Sequence, residues 1–299
     1  MRLYKYRDNS DNTNKIFETK KIWLSNAEGL NDPFECTIQE IAQDYINSQV
    51  STLMRAHVEG FLTTALRSIE KKDSNLFYGM SPKATKEFLA KFRNKTPEEQ
   101  HKATREFIFR KTGREISNPR ETFENFDKQL NSVGIFSMSE TDNNQLMWAH
   151  YSNSSKGIAL GFDSEPNFKL SNNEHCLKVT YSDTLPQFNR TGFNLEVEFY
   201  ADGKNIQKIA LIDETFRQAI STKPTCWEYE KEWRYIEETS GLFDFPGKLN
   251  EIIFGLKCPI PERKKYIDLI ENNFDYEITI NEIITINNTN QIEKIQFKK

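Results

Sequence analysis

From Gln39 to about Leu130 apolar residues recur at helical spacing among charges, and glycine is scarce. On either side the chain alternates apolar and polar residues at the two-residue period of a strand. A period that changes twice along one chain requires a sheet-bearing core interrupted by a block of helices. Within the block, Phe88 and Phe92, then Phe107, Phe109, Phe123, Phe126 and Leu130, mark the buried faces. Pro82 after Ser81 and Pro97 after Thr96 open helices, because proline fits the first helical position. Breaks are expected near Asn75 and Gly113. The spacing therefore predicts an α+β fold, with a mixed, largely antiparallel sheet core over 1–38 and 131–299. A multi-helix insertion over 39–130 completes a single domain of 299 residues.

In the core, strands are expected at Leu3 to Arg7, Lys21 to Ser25, Val133 to Ser139, Gly157 to Asp163, Leu177 to Ser182, Glu230 to Glu237 and Leu249 to Leu256. One or two more are expected between Tyr276 and Phe297. Helices are expected at Asp11 to Lys20, Asn143 to Ser152, Ile206 to Ile220 and Pro261 to Asn272.

The 22 Phe and 11 Tyr supply a substantial core. A net charge of -4 argues against a duplex-binding protein, whose affinity rests on phosphate neutralisation. Cys36, Cys176, Cys226 and Cys258 are widely spaced, which fits neither a zinc site nor a disulfide scaffold. The first residues lack the apolar run of a signal peptide, and no stretch is long and apolar enough to span a membrane. The expectation is a protein of the reducing cytoplasm that binds no membrane and no metal.

Five short constellations carry candidate chemistry. In Tyr4-Lys5-Tyr6-Arg7, residues Leu3, Lys5 and Arg7 share one strand face, and Arg7 has the planar fork that suits a phosphate. Asn31-Asp32-Pro33-Phe34-Glu35 reads as a stiff turn, with Asn31 and Asp32 bonding their own backbone and Phe34 anchoring it in the core. On the third strand Ser137 and Ser139 present two hydroxyls on the face of Ile135. The short helix Asn144 to Tyr151 turns Trp148 inward and carries His150, a candidate base or ligand-orienting donor. Last comes Trp227-Glu228-Tyr229-Glu230-Lys231-Glu232-Trp233-Arg234. Read as a strand, it sets Glu230 and Glu232 on one side about 7 Å apart, so that they disfavour joint ionisation. Each motif also admits a plain structural reading as a surface strand, a turn or a packed helix.

Taken in order, seven short segments resemble a bacterial family catalogued only as domain of unknown function 2971. They are Leu3 to Arg7, Ile22 to Ser25, Asn31 to Glu35, Gly134 to Ser139, Met147 to Tyr151, Lys156-Gly157 with Gly161 to Asp163, and Trp227 to Arg234. A more distant likeness adds an activity. An early strand ending in arginine, a middle strand with serine and a late Glu-x-Glu look like the arginine, serine and glutamate of ADP-ribosyltransferases. That resemblance implies an NAD-consuming transferase, such as a toxin or phage-defence effector. Arg7 would contact NAD, Ser137 or Ser139 would support the nicotinamide pocket, Glu232 would grip the ribose and Glu230 would orient the acceptor. His150 joins the catalytic candidates. Tyr6, Asn31, Asp32, Ser139, Trp148 and Tyr151 join Arg7 as candidate NAD contacts. The acceptor would be a protein or nucleic acid, and the helical insertion offers a surface for a protein partner.

Two rivals stay open on sequence grounds. One is a metal-dependent phosphodiesterase using Asp32, Glu35, Asp142, His150 and Asp163. The other is a non-enzymatic binding module lined by Trp148, Trp227 and Trp233.

Overall fold

The computed structural model describes residues 1–70, 76–116, 118–189, 193–199 and 205–298, so the break expected near Asn75 lies outside the described residues. In chain order the elements are β1 (Arg2–Arg7), α1 (Asp11–Thr19), β2 (Lys21–Leu24), α2 (Gln43–Glu70), α3 (Pro82–Phe92), α4 (Pro97–Thr112), α5 (Pro119–Ser132), β3 (Gly134–Ser139), α6 (Gln145–Tyr151) and β4 (Ile158–Asp163). There follow β5 (Cys176–Lys178), β6 (Thr180–Tyr181), β7 (Leu195–Phe199), β8 (Asn205–Ile209), α7 (Glu214–Ser221), β9 (Thr222–Lys223), β10 (Glu232–Glu237), β11 (Gly241–Asp244), β12 (Lys248–Phe254), α8 (Ile260–Asn273), β13 (Thr279–Thr285) and β14 (Ile292–Gln296). The chain divides into two compact units, one of 1–38, 130–189 and 214–299, the other of 39–129 and 190–213. Among the described residues no helix is long and apolar enough to cross a membrane.

The first unit is built on an eight-stranded sheet in the order β14-β13-β12-β4-β1-β3-β10-β5. Its neighbours are antiparallel except β12 and β13, so the fold is α+β with a mixed, mostly antiparallel sheet. Strand alternation gives each face a core. On one, Leu3, Phe136, Phe162 and Tyr235 pack with Phe17 of α1 and Tyr266 of α8. On the other, Tyr4, Tyr6, Ala159 and Ile253 pack with Met147 and Trp148 of α6.

The ladder between β1 and β3 is interrupted. Tyr4 pairs with Ser139, and β3 then leaves β1 to pair Ile135 with Ser25, N–H to C=O at 2.7 and 2.9 Å. Residues two apart on a strand aim their backbone groups the same way, so the Ser137 carbonyl also faces the resulting gap. The Lys5 ammonium crosses it and donates to that carbonyl at 2.8 Å. A side chain thus replaces the bond that a continuous ladder would have supplied.

In the second unit, helices α2, α3 and α4 bury Phe61, Phe77, Leu89, Phe92 and Phe107 against one another. Ser81 caps α3, Thr96 and Glu99 form a reciprocal capping box on α4, and Gly113 ends α4 at φ 72°. Phe109, expected on the buried face, is exposed. It stands two residues from the buried Phe107, which at 100° per residue puts it on the far side of the helix. The helix expected over Ile206 to Ile220 is likewise corrected. Asn205–Ile209 pairs with Leu195–Phe199 as a hairpin, and the helix starts only at Glu214. This hairpin joins the second unit because Phe193 packs on Phe123 and Phe126 and the Gln129 amide bonds both backbone groups of Ile209.

Candidate functional site

A cavity of about 1100 Å³ opens where β1 and β3 part. Lys5 and Arg7 reach it from β1, Ser137 from β3, Glu230 from the turn before β10 and Glu232 from the first residue of β10. Arg7 is placed firmly, since a Cβ on Gly157 of the preceding turn into β4 would come within 2.0 Å of its carbonyl oxygen. Its Nε donates to Thr13 Oγ1 at 3.4 Å. Lys5 lies 4.7 Å from the centre of the Phe136 ring. Burial, and then the charge of Arg7, pull its ammonium down to about 8.

At the β10 end of the cavity five charges meet out of water. Lys223 Nζ, from β9, lies 2.6 Å from Glu230, 3.1 Å from Glu232 and 3.3 Å from Glu35. Arg234, 0% exposed, holds Glu232 at 2.9 Å and also bonds Glu35 and the Ile220 carbonyl. Three carboxylates face two cations, so the cluster carries one surplus negative charge. Its consequences differ by residue. Burial alone would raise Glu232, but Arg234 and Lys223 outweigh it and, with the Ser137 hydroxyl, hold it down to about 2. Glu230 moves the other way, raised by burial that Lys223 only partly offsets. It is the carboxylate of the pair nearer to accepting a proton.

The Glu-x-Glu does not lie on one strand as its alternation suggests. Glu230 ends a 3-10 turn over Thr225–Glu230, and Lys231 takes a left-handed φ of 45° before β10 begins at Glu232. The turn wins because Pro224 opens it and the Lys231 N–H closes it on the Glu228 carbonyl at 3.2 Å. The two acids still meet, through Lys223. Asn144 caps α6 and donates to the Tyr229 carbonyl at 3.0 Å, which sets Tyr151 against Glu230. The Tyr151 hydroxyl donates to Glu230 and accepts from Asn31 Nδ2 at 3.2 Å.

Of the residues singled out in the sequence, Arg7, Tyr6, Asn31, Ser137, His150, Tyr151, Glu230 and Glu232 line this one cavity. Three others are spent on the scaffold. Ser139, 1% exposed, donates to the Glu230 carbonyl at 2.6 Å. Trp148, also 1% exposed, donates to the Asp142 carbonyl at 2.8 Å and packs edge-on against Tyr6. Asp32 is buried, its Oδ1 taking the Phe34 N–H at 2.9 Å. Phe34 is exposed rather than anchoring; the turn is held instead by buried Asp32, Glu35 and Cys36. The acids of the phosphodiesterase reading are dispersed, with Asp163 paired to Arg2 at 2.6 Å and Asp142 to Lys294 at 2.5 Å. Among the described residues no group of three or more His, Cys, Asp or Glu is placed to hold a metal ion.

Sequence reasoning missed Lys5 and Lys223 as site residues. Lys5 shares the face of Arg7, which was a usable signal; Lys223 sits in a motif-free stretch and had none. A second, open cavity, of about 450 Å³, adjoins the first through Asn31, His150 and Tyr151 and is also lined by Cys226, Trp227 and Tyr229.

No curated protein and no solved structure matches the chain. Residues 147–235, which run from α6 through Glu230 and Glu232 to β10, match the family described as "Protein of unknown function (DUF2971)".

Proposed function

We propose that the chain is an ADP-ribosyltransferase that consumes NAD in the cavity between β1 and β3. The observation that carries this reading is the polarity of that cavity. Lys5 and Arg7 on its β1 side, with Lys15 and Lys21 nearby, outnumber the one acid there, Asp8, and a cluster with one surplus carboxylate stands at β10. NAD has the complementary pattern, an anionic pyrophosphate and a ribose that becomes positive as nicotinamide departs. Arg7 offers paired donors to the pyrophosphate, and Lys5 adds a point charge. The bond from the ribose C1′ to the nicotinamide nitrogen breaks, its electron pair leaving with nicotinamide, and the ionised Glu232 stabilises the oxocarbenium. The acceptor then bonds to C1′ and gives up its proton, which Glu230 is suited to take.

The reading is tested by incubating the protein with NAD and measuring free nicotinamide. Release is expected, unchanged by EDTA. Arg7→Lys raises KM more than it lowers kcat, because a lysine cannot reproduce the bidentate grip. Activity that disappears with EDTA and returns with magnesium or manganese contradicts the proposal and favours a metal-dependent phosphodiesterase.

A further inference from the structure

The smaller cavity is unlike the larger one. It is lined by four aromatic rings, His150, Tyr151, Trp227 and Tyr229, with Asn31 and Cys226 completing it, and among the described residues no carboxylate or cation lines it. The rings support one another: Trp227 and Tyr229 lie 6.2 Å apart at 37°, and His150 and Tyr229 lie 6.5 Å apart at 46°. Trp227 is further fixed by Lys223 Nζ, 4.8 Å from its ring centre. Its volume, about 450 Å³, falls within the range of small-ligand pockets, roughly 300–1,000 Å³. Tyr151 and Asn31 are shared by both cavities, so an occupant of the small one lies beside Glu230.

Resting on the transferase reading of the larger cavity, we infer that the small cavity binds the acceptor and that the acceptor is a nucleobase. Aromatic faces stack on the flat ring of any base, while the Asn31 amide and the His150 imidazole supply donors and acceptors for its edge. A cationic side chain such as arginine fits less well. Among the described residues no carboxylate lines this cavity to pair with its charge. The net charge of -4 argues against a duplex, so the base comes from a free nucleotide or a single strand. Transfer would then join a ring nitrogen or exocyclic nitrogen of the base to C1′ of the ADP-ribose, its proton passing to Glu230 as nicotinamide leaves.

The test is isothermal titration of the full chain with the four nucleoside 5′-monophosphates, with ribose 5-phosphate as the base-free control and a mixed ten-nucleotide single strand as the polymer. At least one mononucleotide binds and ribose 5-phosphate does not. Trp227→Ala weakens that binding roughly 5- to 100-fold, the scale of one lost stacking partner, and Trp227→Phe retains most of it. Tighter binding of the strand per base assigns the base to nucleic acid, and equal binding assigns it to a free nucleotide. Equal affinity for ribose 5-phosphate, no mononucleotide binding, or binding unaffected by Trp227→Ala in a folded protein overturns the inference. Nicotinamide release by the unmodified chain is read separately. If release is absent while base binding and its Trp227 dependence hold, the transferase reading fails and the base site stands.

Discussion

The Lys5 ammonium donates to the Ser137 carbonyl at 2.8 Å across the gap where β1 and β3 separate. One residue therefore both closes a backbone hydrogen bond and puts a charge into the cavity. Because its folded value is about 8 against an ordinary 10.5, the charge is present at pH 7 and lost as the pH rises through 8. NAD binding is expected to weaken between pH 7 and 9 in the wild-type chain and to show a flatter profile in Lys5→Met. Stability runs the other way. The unfolded chain keeps this proton up to about 10.5, so between 8 and 10.5 it binds more protons than the folded chain, and the contribution of this group to stability rises with pH. The difference in melting temperature between wild type and Lys5→Met, followed across that window, checks the sign.

The five-charge cluster is expected to be costly to break and cheap to break evenly. Arg234→Met strands Glu35 and Glu232 out of water and should destabilise by roughly 3–5 kcal/mol. Lys223→Met should cost a similar amount, and combining it with Glu230→Gln should return part of the loss, since an acid and a cation go together. Denaturant midpoints of the singles and the double decide this; strictly additive losses contradict the coupling.

Lys231 separates the two acids in a left-handed conformation. Lys231→Gly is expected to stay within about 1 kcal/mol of wild type, whereas Lys231→Val should cost roughly 1–2 kcal/mol and misdirect Glu230. Equal stability and activity of the two variants would show that the turn does not set the pair.

The second unit contains a stacked His57 and His101, ring nitrogens 3.2 Å apart, with His101 2% exposed. Burial, then the charges of His57 and Arg105, lower His101 to about 4. Below 6.5 the unfolded chain binds protons that the folded pair resists, so stability falls as pH drops from 6.5 towards 4. Protection factors over α2 and α4, exchange rates corrected for the intrinsic pH dependence, should fall in that window, and His101→Gln should remove much of the effect.

Much of this was legible in the sequence where the signal is local. Two-residue alternation located β1 and β3, and proline after Ser81 and after Thr96 located the starts of α3 and α4. The α+β class followed from those periods. What was not legible depends on partners distant in the chain. The gap beneath Lys5 exists because Ser25 captures Ile135, and Lys223 matters because three carboxylates converge on it. Asn205–Ile209 carries an ambiguous run that pairing with Leu195–Phe199 resolves as a strand. The late acids line one cavity, but a turn rather than the expected strand delivers Glu230.

The central claim is that the ionised Glu232 stabilises a cationic ribose. A carboxylate that merely faced a cleft from a strand would contribute little to folding. At 3% exposure and bonded to both Arg234 and Lys223, the carboxylate is instead part of the scaffold, so the substitution is expected to lower the melting temperature without abolishing the fold. The decisive measurement is the rate of nicotinamide release at saturating NAD for the wild type and for Glu232→Gln, both confirmed folded at the assay temperature. Release by the wild type, reduced by ~10²-fold or more in Glu232→Gln, is the predicted result. A folded Glu232→Gln that releases nicotinamide at the wild-type rate, or a wild-type chain that releases none, would contradict it.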